Sequence, residues 1–314
     1  MSVIKGLKGR DFLSVNDFTV EEIYEFFNVA RRLKEEQKRG EKHEILKGKT
    51  LGMIFEKSST RTRVSFEVAM WQLGGLGLFL NTNDLQIGRG EPIKDTARVL
   101  SRYLDGIMIR TFSHIEVEEL AEYASIPVIN GLTDLLHPGQ VMADIFTVME
   151  HKGDVKGLKL CYIGDGNNVV NSLLHICAKV GMDISVATPP EFGPDCHIVR
   201  EAREAAELSG SKIEIVENPL QAAEGADVLY TDVWASMGKE EEQMMRRQIF
   251  KGYSIDKHTL GVAKKDAIIL HCLPAKRGEE ITDEAMECSQ SVVFDEAENR
   301  LHMHKAILAL TMVD

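Results

Sequence analysis

The sequence predicts an α/β protein built from two doubly wound parallel sheets, with the active site in the cleft between the two domains. Short apolar runs alternate with helical patterns along almost the whole chain, as expected for βαβ units. The 314 residues are 44% hydrophobic, which is enough for two cores. A polar, glycine-bearing turn, H-K-G-D-V-K-G, interrupts the alternation at 151–157. We therefore predict domains at 1–150 and 151–296, with a C-terminal helix at about 297–314 that packs back on the first domain.

Nine apolar runs are predicted strands, four before residue 150 and five after it. They are Leu51–Phe55, Leu76–Leu80, Gly106–Ile109, Pro127–Ile129, Leu158–Ile163, Asp183–Ala187, Lys212–Val216, Val228–Thr231 and Ala267–Leu270. Helical patterns lie before, between and after them, at Val20–Glu36, Thr62–Leu73, Ile93–Tyr103, Glu116–Tyr123, Gln140–His151, Val169–Val180, Asp195–Leu208 and Glu240–Phe250. Ligands of open parallel sheets bind at the carboxyl ends of strands, so residues directly after these runs are the candidates for a site.

Composition excludes several classes of protein. With 37 basic and 49 acidic residues, the net charge is −12, which disfavours nucleic-acid binding through the bulk surface. The five cysteines are odd in number and none has CxxC spacing, which indicates a reducing compartment and no structural zinc site. The N-terminus lacks an apolar signal core, and no apolar stretch is long enough for a bilayer. We therefore expect a cytoplasmic protein without a metal or a membrane partner.

The stretch F-E-K-S-S-T-R-T-R-V-S-F-E, at 55–67, places hydroxyls and arginines between a predicted strand and a predicted helix. The first N–H groups of a helix lack intrahelical partners and carry partial positive charge, and Arg61 adds a planar fork that suits phosphate oxygens. Arg63 lies about 200° further around the helix and is expected to pair with Glu67. An anion site is favoured over the alternative, an ordinary N-cap flanked by surface arginines. The hydroxyls concerned are those of Ser58, Ser59, Thr60 and Thr62.

Two further clusters lie in the first half. Arg110 ends the strand in I-M-I-R-T-F, where an arginine serves either a ligand or a salt bridge. In L-L-H-P-G-Q, His137 and Gln140 precede a helix, and Pro138 fits its first turn. His137 either donates a hydrogen bond to a carbonyl oxygen or caps the helix.

Three clusters follow strands of the second half. I-G-D-G-N-N, at 163–168, fails the dinucleotide pattern G-x-G-x-x-G because Val169 stands at its last position, which disfavours NAD. Either Asn167 or Asn168 is then expected to point into the cleft. Asp232 supplies a carboxylate after one strand, and Cys272 follows another as either a small core residue or a site residue. His271 beside Cys272 makes no metal site without further ligands.

Four motifs together resemble the aspartate/ornithine carbamoyltransferase family, over about residues 8 to 314. They are S-S-T-R-T-R-V-S-F-E, H-P-G-Q, D-V-W-A-S-M-G and H-C-L-P-A-K-R-G-E-E. The first two are similar to the wider family, and the S-M-G and H-C-L-P elements point to its ornithine-specific members. The resemblance implies transfer of the carbamoyl group of carbamoyl phosphate to L-ornithine without a cofactor, by a homotrimer or an assembly of trimers. It also implies that domain 1–150 binds carbamoyl phosphate and domain 151–296 binds ornithine.

The resemblance also implies roles for individual residues. Phosphate would be held by the helix N-terminus, the carbonyl oxygen by Arg110 and His137, and the carbamoyl amide by Gln140. The implied carbamoyl phosphate set is Ser59, Thr60, Arg61, Thr62, Gln86, Arg110, His137, Gln140, Cys272, Leu273 and Arg300, with Arg61, Arg110, His137, Cys272 and Arg300 as catalytic residues. The implied ornithine set is Asn168, Asp232, Ser236 and Met237. Gln86 is expected to reach a neighbouring subunit, and the bond Leu273–Pro274 to be cis.

Physical chemistry is consistent with these roles. A neutral amine must attack the carbamoyl carbon, so donors are needed where the oxyanion develops, and Thr62, Arg110 and His137 are of that type. No general base is paired with Cys272, which favours an orienting role over covalent attack. Lysine, putrescine, an NAD-dependent reaction and plain anion binding remain the alternatives. The sequence departs from the familiar family pattern at Lys276, where histidine is expected, and has glycine at the variable position Gly139.

Overall fold

The computed structural model describes residues 7–235 and 242–313, and these form two compact units. The first comprises Met1–Ala143 with Glu298–Asp314, and the second comprises Asp144–Ala297. Each unit contains one all-parallel sheet. The prediction of two parallel α/β domains is confirmed. Among the described helices, none combines the length and apolar character needed to cross a membrane.

The first unit has a four-stranded sheet in the order β2-β1-β3-β4. Its strands are β1 (Thr50–Phe55), β2 (Leu76–Asn81), β3 (Gly106–Arg110) and β4 (Val128–Leu132), and its helices are α1 (Val20–Lys38), α2 (Thr60–Gln72), α3 (Ile93–Leu100) and α4 (His114–Tyr123). Helix α5 (Pro138–Lys152) begins in this unit. Thr19 and Glu22 form a capping box that starts α1, as their spacing favours. The rings of Phe12, Phe18 and Phe26 pack against one another near the start of α1, with centroids 5.2–5.4 Å apart.

The second unit has a five-stranded sheet in the order β7-β6-β5-β8-β9. Its strands are β5 (Lys159–Ile163), β6 (Asp183–Ala187), β7 (Ile213–Val216), β8 (Val228–Thr231) and β9 (Ile268–His271). Its helices are α6 (Asn168–Val180), α7 (Cys196–Ser209), α8 (Pro219–Ala223), α9 (Gln243–Ile249), α10 (Lys257–Val262) and α11 (Asp283–Glu287), and α12 (Val293–Thr311) begins here and ends in the first unit.

Strand register places the candidate residues at one edge of each sheet. In the first unit, Phe55 at the end of β1 pairs with Arg110 at the end of β3. In the second, Thr231 at the end of β8 pairs with Ile163 of β5 and His271 of β9. The loops after β5, β8 and β9 therefore leave from the same edge, where a parallel sheet presents its ligand site.

All nine predicted strands are present. The C-terminal helix was predicted at about 297–314 and instead begins at Val293 and ends at Thr311. Short helices α8, α10 and α11 were not predicted because five or six residues give too little periodicity. The predicted start of α9 at Glu240 lies outside the described residues.

Candidate active site

The N-terminus of α2 carries the hydroxyl cluster of the first unit. Ser59 caps the helix, because its Oγ accepts a hydrogen bond from the Thr62 N–H at 3.2 Å. Arg63 turns away from the cap: it pairs with Glu67 at 3.0 Å, as predicted, and its guanidinium lies 3.8 Å from the Phe79 ring centroid. Arg61 is half-buried. The two arginines thus have separate surroundings, and Arg61 is the one left beside the helix N-terminus.

Arg300 joins three segments that are far apart in the sequence. Its Nη1 donates to Gln140 Oε1 at 2.7 Å, and its Nη2 donates to Thr62 Oγ1 at 3.0 Å. All three residues are at most 4% exposed. A guanidinium that makes two buried hydrogen bonds is held in a single orientation, so α2, α5 and α12 converge on one polar cluster.

His137 and Arg110 belong to the same electropositive region. Both are buried, His137 at the start of α5 and Arg110 at the end of β3. Burial lowers the pKa of His137 well below its ordinary value, and the charges of Arg300 and Arg110 lower it further. The imidazole is therefore neutral at physiological pH and presents one N–H donor.

Asp232 is the centre of the polar cluster in the second unit. Its Oδ2 accepts a hydrogen bond from Asn167 Nδ2 at 2.7 Å, and its Oδ1 accepts from the Cys272 thiol at 3.1 Å. Asn167 also caps α6, with its Oδ1 accepting from the Val169 N–H at 2.9 Å. The loops after β5, β8 and β9 thus meet at one carboxylate.

The thiol of Cys272 is held in its protonated form. Burial raises its pKa well above the ordinary value, and the negative charge of Asp232 raises it further. A thiol donates its hydrogen to Asp232, whereas a thiolate at this distance would repel it. This geometry suits an orienting group and disfavours a thiolate nucleophile.

Two family models match successive parts of the chain. Residues 10–150 match the carbamoyl-P binding domain of aspartate/ornithine carbamoyltransferase, and residues 156–311 match its Asp/Orn binding domain. The chain belongs to the aspartate/ornithine carbamoyltransferase family. It is 57% identical over 310 residues to the ornithine carbamoyltransferase of Carboxydothermus hydrogenoformans, covering 99% of this chain and 100% of the relative. It is similar to the solved structure of ornithine carbamoyltransferase from Pyrococcus furiosus, with a TM-score of 0.95 and 53% identity over 98% of each chain.

The remaining residues named from the family resemblance have the following positions. The Leu273–Pro274 bond is cis, as expected. Leu273 itself has φ 57°, a left-handed conformation that is rare for leucine, and its N–H donates to His271 Nδ1 at 2.9 Å. Gln86 lies in an exposed turn after β2, and Asn168 is the half-buried first residue of α6. Ser236 and Met237 lie outside the described residues.

Asp232, His271 and Cys272 offer ligand atoms within 4.8 Å of one another, which raises the question of a metal. Both ring nitrogens of His271 are engaged, since Nδ1 accepts from the Leu273 N–H and Nε2 lies 3.1 Å from Glu280 Oε1. Coordination through this imidazole would break one of those buried bonds. The donor set therefore does not fit a resident metal ion.

Arg246 is a supporting residue that sequence reasoning missed. Its Nη1 donates to Asp165 Oδ2 and to the Trp234 carbonyl oxygen, both at 2.8 Å, and its guanidinium lies 4.9 Å from the Phe192 ring centroid. These bonds tie the loop after β5 to the segment that follows Asp232. In the sequence, Arg246 stands in a polar helix with nothing to distinguish it from its neighbour Arg247.

Proposed function

We propose that this protein transfers the carbamoyl group of carbamoyl phosphate to the side-chain amine of L-ornithine, giving L-citrulline and phosphate. The observation that carries the proposal is the buried cluster in which Arg300 bonds both Thr62 and Gln140. It gathers two family motifs and Arg300 of α12 into one site with the chemistry of an anion receptor. Full-length similarity to proteins named ornithine carbamoyltransferase supports ornithine as the acceptor.

We assign carbamoyl phosphate to the first unit. The N-terminus of α2 binds the phosphate through backbone N–H groups, the hydroxyls of Ser59 and Thr60 and the guanidinium of Arg61. Thr62, Arg110 and His137 donate to the carbamoyl oxygen as it becomes an oxyanion, and a neutral His137 does so without adding charge. Gln140 binds the carbamoyl amide, and Arg300 orients Gln140 and Thr62. This domain assignment, 1–150 for carbamoyl phosphate, rests on the family resemblance.

We assign ornithine to the second unit, which contains the domain predicted from the sequence at 151–296. Asp232 binds the α-ammonium, and Asn168 with Ser236 and Met237 binds the α-carboxylate. Cys272, together with the backbone of Leu273, orients the side-chain amine. The bond from Cys272 to Asp232 supports an orienting thiol, because the same carboxylate positions both ends of the amino acid.

The reaction requires the amine in its neutral form. An alkylamine like that of ornithine has a pKa near ~10.4, so the neutral fraction at pH 7 is on the order of 10⁻³ to 10⁻⁴, roughly 4–5 kcal/mol uphill. A cationic environment disfavours the ammonium form of an amine and reduces this cost. Activity at subsaturating ornithine is therefore expected to rise between pH 6 and 9.

The deciding experiment is a colorimetric assay for ureido products with carbamoyl phosphate and a panel of ornithine, lysine, putrescine and aspartate. Wild type is compared with Arg61→Gly and with Arg63→Gly, the matched control whose side chain faces Glu67. Product from ornithine alone, lost with Arg61→Gly and kept with Arg63→Gly, is expected. Product from another amine would overturn the acceptor assignment, and no product from any amine would overturn the enzymatic proposal.

Homotrimeric assembly and a cytoplasmic location remain predictions. If Gln86 serves a neighbouring subunit, mixed oligomers of Gln86→Ala and Arg61→Gly chains should regain activity that neither variant has alone. The exposed position of Gln86 supports this proposal. Light scattering after mixing, with the activity of the mixture, tests it, and an additive loss of activity would contradict it.

A further inference from the structure

His304 is a buried histidine of α12 with no part in the proposed chemistry. It is 1% exposed, and its ring stacks on Phe66 with centroids 3.8 Å apart and planes 17° from parallel. Its Nδ1 lies 2.9 Å from Ser65 Oγ. The imidazole thus makes both a face contact and a polar contact with α2.

These contacts lie one helical turn from the Arg300 cluster. His304 follows Arg300 by four residues on α12, and Ser65 and Phe66 follow Thr62 by three and four residues on α2. Residues at this spacing share a helix face, so His304 contacts the same face of α2 that Arg300 bonds through Thr62. The stacked ring therefore lies in the contact between α12 and α2, one helical turn from the Arg300 guanidinium.

Gly139 connects the third helix to the same ring. A Cβ at Gly139 would lie 3.3 Å from His304 Nε2, closer than most real Cβ contacts. The backbone of Gly139 is not in the left-handed region, so its conformation does not require glycine. Alanine is the better helix former, so the helix does not favour glycine here either. The space taken by the His304 ring accounts for the glycine directly before Gln140.

The His304 ring has one polar neighbour on α2 and is buried beside a cation. Ser65 Oγ lies within hydrogen-bond distance of two groups, the Thr62 carbonyl oxygen at 3.2 Å and His304 Nδ1 at 2.9 Å. Burial lowers the pKa of His304 well below its ordinary value, and the nearby Arg300 charge lowers it further. A neutral ring relays a hydrogen bond to the backbone of Thr62 without a second cation beside Arg300.

We propose that His304 is a positioning residue for the carbamoyl phosphate half-site and that Gly139 provides the space its ring needs. His304 acts through Arg300, Thr62 and Gln140 and does not touch the substrate. The inference rests on the proposed function only for the identity of the ligand. Its physical content is that one imidazole sets the relative placement of α2, α5 and α12.

A double-mutant cycle tests the proposal. His304→Ala is expected to raise the KM for carbamoyl phosphate about tenfold, as small misplacements of binding groups do, while the KM for ornithine changes less than about twofold. Gly139→Ala should raise the KM for carbamoyl phosphate in the wild-type background. It should have little effect on that KM when His304 is already alanine. His302→Ala is the matched control, since His302 is 2% exposed on the same helix and pairs with Glu298 at 3.2 Å.

Several outcomes would overturn the inference. These are additive effects of Gly139→Ala and His304→Ala, an equal rise in both KM values, or the same rise with His302→Ala. If His304→Ala does not fold, His304→Phe keeps the stack on Phe66 and loses only the polar relay, and should still raise the KM for carbamoyl phosphate. Calorimetry with inorganic phosphate repeats the cycle without turnover. An inactive wild type would refute the proposed function. An equal affinity of wild type and His304→Ala for inorganic phosphate would refute this inference.

Discussion

Substitution of Gly166 by alanine is expected to disrupt the loop after β5. The Gly166 N–H donates to the Phe192 carbonyl oxygen at 2.8 Å, so the two loops run backbone against backbone. A Cβ at Gly166 would lie 2.5 Å from that oxygen and would overlap the backbone of Gly193. Real Cβ atoms essentially never approach other atoms closer than 3.0 Å. One of the loops must therefore move, because the obstructing atoms are backbone and no side chain can rotate away.

The size of the effect follows from these contacts. Overpacking costs about 1–3 kcal/mol, and the lost backbone hydrogen bond costs about 1 kcal/mol, so the unfolding free energy should fall by roughly 2–4 kcal/mol. For a unit of this size, that corresponds to a decrease in Tm of roughly 5–15 °C. Asn167 is the next residue and holds Asp232, so the KM for ornithine should also rise.

The assay is thermal and urea unfolding of Gly166→Ala, followed by kinetics at a temperature where the variant is folded. Gly193→Ala is the matched control: it lies in the same contact, but its added Cβ would meet nothing within 4 Å. The reasoning is refuted if the two variants are equally stable, or if Gly166→Ala loses stability while binding ornithine with unchanged affinity.

Three further predictions concern single side chains. Arg300→Lys should raise the KM for carbamoyl phosphate roughly 10- to 100-fold in steady-state kinetics, because one ammonium cannot replace two guanidinium bonds worth about 1.5–3 kcal/mol each; an equal rise for ornithine would contradict this. Cys272→Ser should keep partial activity and raise the KM for ornithine. In the wild type, iodoacetamide at pH 8 should label exposed Cys196 before Cys272, as measured by mass spectrometry. Preferential labelling of Cys272 would indicate a nucleophile. Burial lowers the pKa of Lys305 to about 8 from 10.5. Between these two pH values the unfolded chain carries a proton on Lys305 that the folded chain has lost. The contribution of Lys305 to the free energy of unfolding therefore rises with pH across that window. The urea midpoint of wild type should therefore rise relative to that of Lys305→Met between pH 8 and 10, and a constant difference would refute the shift.

Local sequence signals were sufficient for the framework. Strand runs such as Asp183–Ala187 and Val228–Thr231 match the structure at both ends, because buried parallel strands are continuous apolar runs between polar turns. The pairing of Arg63 with Glu67 was also predictable, since the two residues are one turn apart on a single helix. Short helices such as Lys257–Val262 were missed because their packing, not their periodicity, stabilises them.

The candidate site was predictable as a set of residues but not as a set of contacts. Asp232 and Cys272 were chosen because they follow strands, yet the bond between them depends on the register of β8 and β9. Asn167 and Asn168 were indistinguishable in the sequence. In the fold, Asn167 caps α6 and bonds Asp232, while Asn168 is the first residue of the helix.

By itself, the sequence determined the α/β class, the order of the strands along the chain and the motifs that mark the family, because these depend on short-range periodicity and on residue identity. The tertiary structure alone decided that Arg300 meets Thr62 and Gln140, that Arg246 supports the loop after β5, and that His304 occupies the space beside Gly139. Each of these contacts joins residues more than 80 positions apart. Their geometry depends on how helices and strands pack, which no local pattern encodes.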